Sequence, residues 1–145
     1  MSIDDLYKEV ILDHYKNPRN KRDLPDATVS EHGNNPLCGD EITIHARLNA
    51  GTLAEITFEG QGCSISQASA SMLTESVRGK ETAEAEALAR DFRGMMEGKA
   101  EPNEDTFGDL MALKGVVKYP VRIKCAVLGW DVLQDALANA GGAAS

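Results

Sequence analysis

Residues 41–59 read EITIHARLNAGTLAEITFE, and this stretch decides the fold. Apolar and polar side chains alternate over residues 41–48 and again over 54–59, with Asn49-Ala50-Gly51 between the two runs. Alternation with a period of two predicts strands, and a short turn between two such runs predicts an antiparallel hairpin. We expect one face to be buried, and we expect the polar face to meet water. The polar face would carry Glu41, Thr43, His45, Arg47, Glu55, Thr57 and Glu59.

Helical spacing of apolar residues predicts helices on both sides of this hairpin. One helix is expected from about Ile3 to Lys16, before Asn17-Pro18, and the others are expected at 63–78, 81–97, 106–113 and 120–138. Residues 28–31 predict a short third strand, whereas 32–40 are rich in Gly, Asn and Pro and predict a loop. This order predicts an α+β fold, in which a small antiparallel sheet of about three strands is covered by helices on one face.

The length of 145 residues fits a single domain, 1–145, with a frayed tail from about residue 139. Lys and Arg number 15 while Asp and Glu number 23, which gives a net charge of −8. That sign argues against nucleic acid or an anionic membrane as the main partner. The charged opening contains no secretory signal, and no apolar run approaches the length of a membrane span. We therefore expect a cytoplasmic protein.

Three cysteines stand at the predicted boundaries of helices and strands. Cys38 lies in the Gly/Pro/Asn loop, Cys63 at a strand-to-helix turn, and Cys125 in the first turns of the last helix. Helix N-termini favour the thiolate form of cysteine, and boundary positions allow distant segments to converge. Thiolates suit a soft, tetrahedral metal, and zinc is the leading candidate. The competing interpretation is that the cysteines are small buried hydrophobic residues.

Three sulfurs leave one position of a tetrahedral site for another ligand. Asp40 follows Cys38 by two residues, so one tight loop could deliver a sulfur and a carboxylate to the same ion. His32 and His45 are rival fourth ligands, although His45 could equally be plain surface. His14 is expected to pack beside the N-terminal helix.

Longer strings around the three cysteines are specific enough to identify a family. They are NNPLCGD at 34–40, GQGCSISQASASM at 60–72, and RIKCA at 122–126 with Trp130 downstream. Together with the run from Leu6 to Pro18, these strings resemble the IscU/NifU-type iron–sulfur cluster assembly family over residues 3 to 138. Lys124 stands where standard IscU members carry His. The segment between Cys63 and Cys125, which are 62 positions apart, is also longer here than in standard members. Both departures are similar to the SufU branch of the family.

The resemblance implies an IscU/SufE-like fold and a zinc site with the ligands Cys38, Asp40, Cys63 and Cys125. It further implies a zinc-dependent sulfurtransferase, a sulfur carrier that activates a cysteine desulfurase of the SufS type, which depends on pyridoxal phosphate. Cys38, on a mobile loop, would be the catalytic residue that accepts persulfide sulfur before its transfer to downstream cluster-assembly proteins. Arg122 and Lys124 could offset negative charge on sulfur from outside the ligand set, or lie on a solvated helix face.

Two other functions remain open on the same residues. In the first, the four ligands hold a [2Fe–2S] cluster, with Asp40 as the labile ligand, and the protein is an assembly scaffold. In the second, the chain is a non-catalytic zinc domain that recruits partners through its acidic surface.

Overall fold

The structure is a computed structural model that describes the backbone of residues 3–37 and 39–144 and the side chains of 6–37 and 39–140. Its helices and strands follow one another along the chain as α1 (Ile3–Lys16), β1 (Val29–Asn35), β2 (Asp40–Asn49), β3 (Thr52–Gln61), α2 (Ser64–Val77), α3 (Thr82–Met96), α4 (Glu104–Phe107), a 3₁₀ segment (Gly108–Lys118) and α5 (Pro120–Ala144).

The predicted hairpin is confirmed as the strand pair β2 and β3. The sheet is antiparallel with the order β1-β2-β3, and Ile44 lies opposite Phe58. Ala50 and Gly51 both have positive φ angles, as a tight two-residue turn between twisted strands requires. The alternating apolar side chains point into the core, where Ile42, Ile44, Ala46, Ile56 and Phe58 are fully buried.

Helices cover one face of this sheet, so the predicted α+β fold is confirmed. Helix α5 packs on β1 and β2, and α2 packs on β3. Helix α2 is buried along most of its length because its residues are small. Ser69 donates to the carbonyl oxygen of Ala126 at 2.6 Å, and Gly129 of α5 lies against Ala70, so the two helices approach closely. Ser69 therefore serves the packing of α2 against α5.

Strand β1 is longer than predicted. Residues 32–35 were expected in a loop, but they pair with β2, so that Asn34 lies opposite Glu41 and Asn35 opposite Asp40. Gly33 lies so close to α5 that an added Cβ would meet Cγ2 of Val132 at 2.5 Å. Glycine is therefore needed here for the approach of a helix, and the local turn propensity is overridden by strand pairing.

The expectation that the polar face of the hairpin meets water is wrong for its centre. His45, Glu55 and Thr57 are buried. The segment 19–27 pairs with the edge of β3, where the N–H of Phe58 donates to the carbonyl oxygen of Asn20 at 3.0 Å. It also reaches over this face, because Asp23 lies beside His45 and Arg22 pairs with Glu55. A contact between segments distant in sequence is invisible to a period-two pattern.

The C-terminal helices also differ from prediction. The side chain of Asn103 caps α4 by accepting from the N–H groups of Asp105 and Thr106, so this helix begins earlier than residue 106. Gly108, with φ of 54°, ends α4, and a 3₁₀ segment continues to Lys118. Helix α5 reaches Ala144, beyond the predicted end near residue 138. Within the described part of the chain, no helix combines the length and apolar character that crossing a membrane would require.

Candidate metal centre

Asp40, the first residue of β2, carries a fully buried carboxylate. Its Oδ1 accepts the backbone N–H of Cys63 at 2.8 Å, and its Oδ2 lies 3.7 Å from the sulfur of Cys63. Among the described residues, no Lys, Arg or His forms an ion pair with it. Burying a carboxylate is costly unless a positive charge or several donors compensate. The surroundings of Asp40 therefore suit a bound cation.

Gly62 allows this carboxylate to reach the start of α2. Its φ angle is 147°, a region that side chains other than glycine rarely adopt. A Cβ at this position would lie 2.2 Å from Oδ1 of Asp40 and 2.9 Å from its Cα. Gly62 is thus required both by its backbone angle and by the space that Asp40 occupies. In the sequence, the signal for this role is a glycine directly before a candidate ligand.

Cys63 is the N-cap residue of α2, as the predicted strand-to-helix boundary implied. Its φ and ψ are extended, and its sulfur accepts the N–H of Ser66 at 3.5 Å. The positive end of the helix dipole and the unpaired N–H groups of the first turn favour negative charge on a side chain at this place. Cys63 is partly exposed.

Cys125 arrives from the opposite end of the sequence. It lies near the start of α5, is fully buried, and places its sulfur 4.0 Å from the carbonyl oxygen of Val121. One ligand atom from each of Asp40, Cys63 and Cys125 lies within 4.8 Å of the other two. Strand β2 and helices α2 and α5 therefore bring three of the four predicted ligands together. Cys38, the fourth, lies outside the described residues.

The donor set of one oxygen and two sulfurs fits zinc. Ligands at the usual Zn–S and Zn–O distances of about 2.3 and 2.0 Å would be about 3.5 Å apart at a tetrahedral angle. The separation of 3.7 Å between Asp40 Oδ2 and Cys63 Sγ is close to that value. A zinc ion held here would supply Lewis acidity and keep its thiolate ligands deprotonated.

Arg122 and Lys124, both exposed on α5, were predicted either to offset charge on the sulfurs from outside the ligand set or to lie on a solvated helix face. Hydrogen bonding to the Cys125 sulfur, followed by attraction to Cys63, raises the pKa of Arg122 above its usual value. Its guanidinium is thus the positive group beside the two sulfurs. Among the described residues, no hydrogen bond or ion pair joins Lys124 to the site.

The histidines lie away from this group. His32 pairs with Thr43 through Nδ1 at 2.9 Å. His45 is buried on the sheet beside Asp23 and Glu59, so it is neither plain surface nor part of the sulfur site. His14 was expected to pack beside the N-terminal helix; it lies within that helix, in the last turn of α1, and is buried.

Both ring nitrogens of His14 have hydrogen-bond partners. The Nδ1 atom of His14 lies 2.8 Å from the hydroxyl of Ser71, and Nε2 lies 2.9 Å from a carboxylate oxygen of Asp109. His14 therefore joins α1 to α2 and to the 3₁₀ segment and is satisfied as a structural residue.

Comparison with known proteins agrees with the family that the motifs indicate. The family model for the NifU-like N terminal domain matches residues 6–142. The zinc-dependent sulfurtransferase SufU of Bacillus subtilis is 46% identical over 141 residues, covering 97% of this chain and 95% of its own. The iron–sulfur cluster assembly scaffold protein IscU of Streptococcus pyogenes is 39% identical over 141 residues, and the match covers 97% of this chain and 88% of that protein.

Solved structures share the fold as well. The crystal structure of FiSufU from Fervidobacterium islandicum, described as a candidate iron–sulfur cluster assembly scaffold for the SUF system, superposes with a TM-score of 0.86. It is 34% identical, and the match covers 94% of this chain and 99% of that one. The motifs, the fold and these relatives agree, and the chain belongs to the family of NifU-like N-terminal domains.

Proposed function

We propose that this chain is a zinc-bound sulfurtransferase in iron–sulfur cluster assembly, with Cys38, Asp40, Cys63 and Cys125 as zinc ligands. The observation that carries the proposal is the convergence of a buried carboxylate with the sulfurs of Cys63 and Cys125. It is supported by the 46% identity to a relative named a zinc-dependent sulfurtransferase. Cys38 enters through the chain itself, because two peptide units hold its Cα within about 7 Å of the Cα of Asp40.

In this function, Cys38 is the acceptor of sulfur. Its thiolate attacks the outer sulfur of a persulfide on a cysteine desulfurase, and a new S–S bond forms as the old one breaks. The desulfurase cysteine leaves as a thiolate, the proton stays on the transferred sulfur, and no external oxidant or reductant is needed. Arg122 offsets the negative charge that gathers on the sulfurs. Asp40 and Cys63 stay in place because they are joined by the hydrogen bond between Oδ1 and N–H.

The difference between the sulfurs supports Cys38 as the acceptor. Cys63 is the N-cap of a buried helix and Cys125 is buried within α5, so both are held by packed elements. Cys38 belongs to the short connection between β1 and β2, where Leu37 is 77% exposed. A connection with few buried contacts opens at lower cost than a packed helix.

The partners follow from the chemistry. The donor would be a cysteine desulfurase of the SufS type that depends on pyridoxal phosphate, and downstream cluster-assembly proteins would receive the sulfur. We place the protein in the cytoplasm, where reducing conditions preserve thiolate ligands.

The test is peptide mapping by mass spectrometry after mixing the zinc-loaded protein with a desulfurase and cysteine. We expect the added sulfur on Cys38. Cys38→Ser should abolish acceptance while leaving most of the fold, whereas Cys63→Ser and Cys125→Ser should lose zinc and stability as well. Added sulfur on Cys63 or Cys125 of the unmutated protein would show that the acceptor is misassigned.

The same mixture examines the alternatives. The Streptococcus pyogenes relative named a scaffold shares 39% of its sequence with this chain, so a [2Fe–2S] scaffold is the second candidate. Adding ferrous iron would then produce the visible absorption of a cluster bound to this chain. Neither sulfur transfer nor cluster formation is expected of a non-catalytic zinc domain.

A further inference from the structure

We propose that Asp23, His45 and Glu59 form a second site for a divalent cation, separate from the sulfur ligands. His45 of β2 and Glu59 of β3 are on the polar face of the sheet, and Asp23 lies in the segment 19–27 that runs along it. One nitrogen of His45 and one oxygen of each carboxylate lie within 4.8 Å of one another.

The separations are those of ligands that share an ion. Nε2 of His45 lies 3.3 Å from Oε2 of Glu59 and 3.7 Å from Oδ1 of Asp23. A direct N–H···O hydrogen bond has a typical length of about 2.9 Å. Two ligand atoms, each about 2.1 Å from a metal at a tetrahedral angle, are about 3.4 Å apart. The contact between Nε2 and Glu59 is thus a long hydrogen bond, Asp23 lies beyond hydrogen-bond range, and both separations are close to those of ligands that share a metal ion.

The imidazole ring of His45 is oriented by a contact at its other nitrogen, Nδ1. His45 is only 8% exposed, and the hydroxyl of Ser30 lies 2.7 Å from its Nδ1. With Nδ1 engaged, Nε2 is the nitrogen that faces the carboxylates. A partner on the far ring nitrogen is the usual way in which a metal-binding histidine is oriented.

An independent sign of a ligand comes from Thr57. This residue lies directly opposite His45 in the strand register, so the two side chains share one face of the sheet. Thr57 is fully buried, and its hydroxyl has no hydrogen-bond partner among the described residues. A buried hydroxyl normally has a hydrogen-bond partner, either a protein group or an ordered water. A hydrated cation beside His45 would supply that partner.

Neighbouring cations do not satisfy the two carboxylates. Arg22 pairs with Glu55 at 3.3 Å and Arg47 pairs with Asp26 at 2.7 Å. In the described part of the chain, Asp23 and Glu59 have ion pairs only with His45. Their negative charge thus remains available to an added cation.

The donor set decides which cations would bind. One imidazole nitrogen and two carboxylate oxygens suit Mn²⁺, Fe²⁺ or Zn²⁺, whereas the sulfur site favours a softer ion. The side chains of Asp23 and Glu59 are 65% and 51% exposed, so the ion would keep water ligands and exchange with solvent. Binding would fasten the segment 19–27 to the sheet.

The experiment uses Mn²⁺, which disfavours thiolates, on the full chain with its sulfur site already loaded with zinc. Electron paramagnetic resonance follows the loss of the free Mn²⁺ signal, and histidine NMR signals report which ring the paramagnetic ion broadens. We expect one Mn²⁺ per chain, broadening of His45, and a rise in melting temperature with Mn²⁺ concentration.

Three substitutions and a control locate the site. Asp23→Asn, Glu59→Gln and His45→Gln should each weaken Mn²⁺ binding by about tenfold or more, because each removes one of three ligands. His32→Gln removes an exposed histidine of the same sheet and should change nothing. The two carboxylate variants replace exposed groups and should fold normally. Absence of Mn²⁺ binding, or equal binding by all four variants, would mean that His45 only pairs with the two carboxylates and binds no metal.

Discussion

Replacing Gly62 by Ala tests how the site is built without removing any ligand. Two costs add in this variant. Placing a side chain at a φ of 147° strains the backbone by about 1–3 kcal/mol. The new Cβ, 2.2 Å from Oδ1 of Asp40, also displaces the carboxylate from the N–H of Cys63, and a hydrogen bond to a charged group contributes about 1.5–3 kcal/mol.

The expected loss in the free energy of unfolding is therefore about 2.5–6 kcal/mol, or a decrease in melting temperature on the order of 10 °C. Gly79→Ala is the matched control. Gly79 also has a positive φ, 81°, but an added Cβ would meet nothing within 4 Å. Gly79→Ala should lose only the stability that backbone strain costs, about 1–3 kcal/mol.

Both variants would be measured by chemical denaturation after zinc has been chelated, so that the polypeptide alone is compared. Zinc content after reloading is the second measurement, and we expect Gly62→Ala to bind zinc poorly while Gly79→Ala binds it normally. Equal stability of the two variants, together with normal zinc content in both, would refute the assignment of Gly62 as the residue that admits Asp40 to the site.

Three further outcomes are expected. Gly33→Ala should lower the free energy of unfolding by about 1–3 kcal/mol, because the new Cβ would press on Val132. Gly115→Ala is the control, since its Cβ would meet nothing within 4 Å and the change should be tolerated. Chemical denaturation curves measure both variants, and equal curves would contradict the packing argument. Chelation of zinc should lower the melting temperature, because free zinc at 100 times its Kd adds about 2.7 kcal/mol to the free energy of unfolding. An unchanged melting curve after verified removal of zinc would show that metal binding is not coupled to folding. Arg122→Gln should slow sulfur acceptance while changing the free energy of unfolding by only about 0.5 kcal/mol. Lys124→Gln is the control and should accept sulfur at the rate of the unmutated protein. Equal rates of sulfur acceptance in the two variants would show that Arg122 has no part in the mechanism.

The sheet could be predicted in part from the sequence because its strongest signals are local. The alternation of residues 41–59 and the turn at Ala50-Gly51 specify a hairpin before any distant contact forms. The third strand was predicted too short, because the pairing of Gly33 depends on β2 and on Val132 of a helix about a hundred positions later. Local turn residues cannot reveal such a contact.

The candidate sulfur ligands could be proposed from the sequence for a different reason. Each of the three cysteines lies in a string characteristic of the family, and Cys63 marks a strand-to-helix boundary, which is a local event. The sequence did not separate Asp40 from His32 and His45 on spacing, and only the motifs favoured the carboxylate. In the structure, Asp40 reaches Cys63 because Gly62 leaves room for it, while His45 is engaged by Ser30 and two carboxylates.

What the sequence by itself determined is therefore the hairpin, the order of the helices, the family and the residues that could bind a metal. Tertiary structure alone decided which polar side chains are buried, as with Thr57 and His45, and which potential ligands meet. The reason is physical. Strand alternation and helix capping arise from interactions within a few residues, whereas burial and ligand convergence depend on segments such as 19–27, α2 and α5, which come together only when the whole chain packs.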